Sequence, residues 1–175
     1  MQPSLMQEVL AGLQSSPPFI SPKFFYDELG SKLFEAITLL DEYYPTRVEK
    51  SIMQLYAQDI ANAVHGCDVL IDLGAGNCAK ASELFDTIKP TKYRAIDISK
   101  EFLELALIDL QKRFPKIEME SQICDLSEQL EIPDLVGEEK LFFYPGSSIG
   151  NFDPHKASNF LKNIAKKLQQ EWKLF

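Results

Sequence analysis

At 175 residues, with 45% hydrophobic and 25% charged side chains, the chain has the size and composition of one soluble globular domain. Its net charge of −8 is spread without acidic or basic blocks, which argues against a nucleic-acid backbone as partner. Cys67, Cys78 and Cys124 form neither a CxxC pair nor a Cys/His cluster, which argues against a zinc site and fits a reducing compartment.

The N-terminus shows no basic stretch followed by an apolar core, and no apolar run nears the roughly 20 residues that cross a bilayer, so a cytoplasmic protein is expected. Residues 1–14 predict a short amphipathic helix, broken by SSPPFISP (15–22). Residues 23–40 read as helix, with Leu33, Phe34, Ile37 and Leu40 at helical spacing. DEYYPTR (41–47) is a loop, and Val48, Ile52, Leu55, Tyr56 and Ile60 mark one face of a helix over 48–64. Residues 1–64 therefore read as a helical cap.

From residue 65 to 175 strands alternate with helices. CDVLIDL (67–73), KYRAIDI (92–98), IEMESQI (117–123) and KLFFYPG (140–146) read as strands. Helices are expected over 79–88, over 100–113 with Ser99 as cap, and over 154–168 after Asp153 and Pro154. This order predicts an α/β fold, a Rossmann-like core with a parallel sheet, whose ligands bind at the carboxyl ends of the strands. Those ends carry Gly74–Gly76, Asp97, Asp125 and the stretch 146–151. His65 and His155 fall at helix boundaries, and Cys78 beside the glycine turn reads as a packing residue.

The turn itself is the strongest local signal. Gly74 and Gly76 let the backbone bend and approach a ligand without a Cβ in the way. The following helix aims backbone N–H groups at that ligand. Asp97 stands about twenty residues on, at a second strand end, where a carboxylate accepts from two ribose hydroxyls. GxG lacks the third glycine of the dinucleotide fingerprint, so S-adenosylmethionine (SAM) suits the turn better than NAD.

Four stretches together resemble the histidine-specific SAM-dependent methyltransferases, the family of the ergothioneine-pathway histidine Nα-methyltransferases. They are PKFFYDELGSKLFEAIT (22–38), EYYPTR (42–47), LIDLGAGNCAK (70–80) and FYPGSSIGNFDP (143–154). The resemblance implies a class I methyltransferase core that uses SAM to methylate the α-amino group of a small-molecule substrate, histidine or a related amino acid, while charge and hydropathy argue against a nucleic acid or membrane partner. It implies that Gly74, Ala75 and Gly76 form the SAM turn, that Lys80 approaches the methionine carboxylate and that Asp97 holds the ribose. It places Asp125 and Leu126 beside the adenine, Tyr44 and Asn151 on the substrate amino acid, and Tyr26 and Phe34 around the methyl-transfer pocket. Tyr44, Tyr26 or water is left to take the proton from the amine. Members of the family continue past the helix at 154–168 into further strands and a second lobe. Four sheet strands are therefore expected here, with the edge of the fourth left unpaired and open to self-association. The alternative reading is a SAM-binding fragment or pseudoenzyme without turnover.

Overall fold

A computed structural model of the chain describes residues 5–126, 139–168 and 172–174. The cap consists of α1 (Leu5–Gln14), a short 3-10 turn (Pro22–Phe25), α2 (Glu28–Thr38), α3 (Pro45–Leu55) and α4 (Ala57–Val64). The core follows as β1 (Val69–Leu73), α5 (Ala79–Ser82), α6 (Phe85–Ile88), β2 (Lys92–Asp97), α7 (Lys100–Arg113), β3 (Glu118–Ile123) and β4 (Lys140–Phe143). A 3-10 turn (Ser148–Asn151), α8 (Pro154–Leu168) and β5 (Trp172–Leu174) complete it.

Every strand pairing is parallel, and the sheet runs β3-β2-β1-β4-β5. β1 and β4 are apolar and buried along their whole length except for Asp72 and Lys140, themselves buried, as strands covered on both faces must be. Side chains alternate between two cores. Leu70, Tyr93, Ala95, Leu141 and Phe143 pack with the cap's Met53, Ile60 and Val64 and with Phe85, Leu103 and Leu107. Val69, Ile71, Leu73, Ile96 and Phe142 pack against Phe160 and Ile164 of α8. Strand order reverses direction between the neighbours of β1, and a crevice opens there at the carboxyl ends of the strands.

The described residues form five sheet strands where four were expected. β5 pairs with β4 through Lys140↔Trp172, Leu141↔Lys173 and Phe142↔Leu174, so the ladder of β4 is occupied on both sides. A three-residue strand is too short to show a period, which is why sequence reasoning passed over it.

Three expected helices are also broken. Asp27 adopts an extended backbone and accepts from Gly30 N at 2.7 Å, so α2 starts afresh there and 23–40 is not one helix. Tyr56 interrupts the helix expected over 48–64, and Leu84 interrupts that over 79–88. Ser99 sits at the cap position of α7 without a capping hydrogen bond. Its hydroxyl donates instead to the carbonyl of Tyr26 and lies 3.1 Å from Ser31 Oγ, tying the cap to the core. Asp153 does start α8, accepting from His155 N at 2.8 Å.

Candidate active site

The carboxyl ends of β1, β2 and β4, the residues that follow β3, and helices α2 and α3 enclose a cleft of about 810 Å³. That volume lies within the range of small-molecule and cofactor sites. Tyr26, Phe34, Tyr44, Gly74, Ala75, Gly76, Lys80, Asp97, Asp125, Leu126 and Asn151 all line it. Fold and spacing therefore bring every residue singled out from the sequence to one place.

The floor of the cleft is the turn after β1. Gly74 N and Ala75 N both donate to Ile96 O, at 2.8 and 3.1 Å, which fastens the turn to β2. Gly74 and Gly76 hold φ of +75° and +54°, the left-handed region where other residues are strained. A Cβ placed on Gly76 would meet nothing within 4 Å, so the turn faces open space. The helix behind it has only four residues, Ala79–Ser82, and the N–H of Ala79 is taken at 3.2 Å by Asn77 Oδ1. The expected row of helix N–H groups aimed at a ligand is thus not what the turn offers.

Asp97 is fixed by two backbone donors. Gly76 N reaches Oδ2 at 2.9 Å and Ser99 N reaches Oδ1 at 3.0 Å. Each oxygen keeps a second lone pair, the requirement for accepting from a vicinal diol.

Both lysines of the cleft are paired. Lys80 Nζ lies 2.6 Å from Glu49 Oε2 of α3. Lys23 Nζ lies 3.0 Å from Asp125 Oδ2 and 2.8 Å from Glu8 of α1, and these carboxylates, outweighing burial, raise its pKa. A short helical turn that Asp125 could cap would fall outside the described residues.

The cap supplies the opposite wall. Tyr26, Phe34 and Tyr43 stand edge to face, with ring centroids 6.2 and 5.8 Å apart. Tyr44 opens α3 and is 64% exposed, and Asn151 sits on the turn that leads to α8. Val48 and Ile52, on the helix face marked by apolar spacing, are about half exposed and line the cleft.

Two contributors escaped the sequence reading. Asp72 is a lone acid inside the apolar strand β1 and is 1% exposed. Tyr93 donates its hydroxyl to Oδ2 at 2.7 Å, while Oδ1 has no partner among the described residues. Burial pushes its pKa up to about 7. The signal that could have found it is a carboxylate where every neighbour is aliphatic. Glu49 could have been found as a member of the α3 face that carries Pro45, Val48 and Ile52. With these two, five carboxylates (Glu35, Glu49, Asp72, Asp97 and Asp125) line the cleft against two lysines. The excess of negative charge suits a cationic ligand. Cys78, by contrast, is fully buried, and burial raises its thiol to about 12, which fits packing rather than nucleophilic chemistry.

The geometry fits a SAM site: an open glycine turn, a carboxylate at the end of β2 fixed by two backbone donors and, among the described residues, a buried carboxylate oxygen with no partner. Among the described residues no group of acids, cysteines and histidines is placed to hold a metal, and no helix is long and apolar enough to cross a membrane. The sequence model of the family described as "Histidine-specific methyltransferase, SAM-dependent" matches residues 5–175. A histidine N-alpha-methyltransferase of Mycobacterium tuberculosis is 35% identical over 167 residues, 93% of this chain and 51% of that protein. A 4-dimethylallyltryptophan N-methyltransferase of Claviceps purpurea is 30% identical over 177 residues, covering 94% of this chain and 51% of the relative. The chain thus spans about half the length of the curated relatives it matches. A solved SAM-dependent methyltransferase from Clostridium acetobutylicum superposes with a TM-score of 0.59 at 16% identity, over 81% of this chain and 53% of that one, which establishes the fold.

Proposed function

Because the chain belongs to the histidine-specific, SAM-dependent methyltransferases, we propose that its cleft holds SAM and methylates the α-amino nitrogen of histidine or a related amino acid. The observation that carries this reading is the joining, in one cleft, of the Gly74–Gly76 turn and Asp97 to the aromatic wall of the cap and Asn151. When bound, SAM supplies an electrophilic methyl on a positively charged sulfur.

In this reading the turn admits the cofactor, Asp97 accepts from both ribose hydroxyls, and Asp125 and Leu126 flank the adenine. Lys80 is directed at the methionine carboxylate. Tyr44 and Asn151 hold the amino acid, and Tyr26 and Phe34 line the methyl-transfer pocket, presenting rings to positive charge. The excess of carboxylates favours the cationic cofactor over its neutral product. The acceptor nitrogen must shed a proton to expose its lone pair. Tyr26, Tyr44 or water takes it. The main catalytic contribution is then alignment of amine and methyl.

One relative is named for the α-nitrogen of histidine and another for N-methylation of a prenylated tryptophan, which supports an amino-acid nitrogen as the acceptor. The test is incubation with methyl-labelled SAM and histidine, with products resolved by mass spectrometry and NMR. Label on the α-nitrogen is expected, and label on the imidazole would overturn the assignment. The high exposure of Tyr44 favours, as a second reading, a SAM-binding module without turnover. Bound cofactor with no methylated product would establish it.

A further inference from the structure

We propose that Glu49 is a cofactor-positioning residue, which with Lys80 receives the α-ammonium and α-carboxylate of the methionine part of SAM by exchange of ion-pair partners. The inference rests on the SAM reading above and assigns its amino-acid subsite. Glu49 Oε2 and Lys80 Nζ lie 2.6 Å apart, and both line the cleft. A zwitterion entering between them can replace one ion pair by two. Lys80 turns to the ligand carboxylate, Glu49 accepts from the ligand ammonium, and the four charges alternate in sign.

The setting of each residue suits that exchange. Glu49 belongs to α3, whose position is secured independently of Lys80. Lys50 Nζ lies 3.0 Å from Glu83, and Gln54 donates to the same carboxylate at 3.0 Å. Glu49 therefore stays in place when the lysine turns away. The side chain of Lys80 is 39% exposed and that of Glu49 24%, so the pair is within reach of the cleft without being lost to bulk water. Lys80 also lies close against the turn after β4. A Cβ on Gly146 would come within 2.8 Å of Nζ, which places the ammonium against this turn. The other acids of the cleft are engaged elsewhere: Asp97 with two backbone amides, Asp125 with Lys23, and Glu35 with Asn77 at 3.2 Å. Asp72 lines the same cleft with Tyr93 on one oxygen, and burial raises its pKa to about 7, which leaves Glu49 the better acceptor for an ammonium.

The experiment compares two ligands that differ in the amino-acid part. S-adenosylhomocysteine carries the zwitterion, and 5′-methylthioadenosine does not. Calorimetric titration of both into the parent chain, Glu49→Gln, Glu49→Asp and Asp72→Asn reads the coupling directly. Glu49→Gln is isosteric, and thermal melting verifies that it folds. We expect Glu49→Gln to weaken S-adenosylhomocysteine about tenfold or more, the scale of a lost charge-assisted hydrogen bond. Methylthioadenosine affinity should not change, and Glu49→Asp should restore part of the loss. Unchanged or tighter binding of S-adenosylhomocysteine would overturn the proposal, because Glu49 would then only compete for Lys80. Equal weakening of both ligands would reduce Glu49 to a structural role, and a selective loss in Asp72→Asn alone would move the ammonium to Asp72. If the parent chain binds neither ligand, the SAM reading itself fails and this proposal with it.

Discussion

Asp72 shows at the scale of one residue how burial and function meet. Its pKa rises from 3.8 to about 7, chiefly by desolvation and against the hydrogen bond from Tyr93. The folded state therefore keeps a proton that the unfolded carboxyl gives up at lower pH. The stability this contributes is fully present below pH 3.8, declines as pH rises and is lost above about 7. Asp72→Asn cannot ionise, so it should melt higher than the parent above about pH 7, by on the order of a few kcal/mol, with little gain near pH 4. Melting temperatures taken across that range check this, and parallel profiles for the two proteins would contradict it. A carboxylate kept at such a cost beneath a glycine turn is where stability has been given up for a site.

At the scale of elements, α2 leaves no room for a side chain at Gly30 against the turn before it. A Cβ built on Gly30 would lie 1.8 Å from the carbonyl oxygen of Phe25, which belongs to rigid backbone. Gly30→Ala must displace that turn, and with it Tyr26 and the ring stacked edge-on against Phe34. The expected loss is about 1–3 kcal/mol, the scale of overpacking. Urea unfolding measures it, and an unchanged midpoint would show that the turn yields freely. The strands that position the site were legible because β1 and β4 are continuous apolar runs ending in glycine or proline. Asp97 was legible because it closes such a run. The breaks at Asp27, Tyr56 and Leu84 were not, since each falls inside a pattern that keeps its helical period across the break. Nor was the pairing of Lys80 with Glu49 or Lys23 with Asp125, because contacts between α3 and α5, and over 102 residues of separation, depend on tertiary docking.

At the scale of the molecule, the cap carries a large exposed apolar surface. Leu29, Leu33 and Ile37 of α2 and Ile52 and Leu55 of α3 are between 43% and 74% exposed. Among the described residues no element covers them, although Leu33 and Ile37 stand at helical spacing and Ile52 and Leu55 mark one helix face. Periodicity reports that a face is apolar and not what lies against it. The unpaired β4 edge expected from the sequence is filled by β5. We propose that any self-association through the sheet uses one of its two edge strands, the six-residue β3 or the three-residue β5.

Asp97 joins these scales, because it fastens the glycine turn, closes β2 and faces the cleft that core and cap share. Calorimetric titration of S-adenosylhomocysteine into the parent chain and into Asp97→Ala tests that convergence most directly. Binding to the parent, weakened by about 1–3 kcal/mol in a variant that still melts cooperatively, is the expected result. A folded parent chain that does not bind, or a variant that binds as tightly, would contradict the assignment of the cleft.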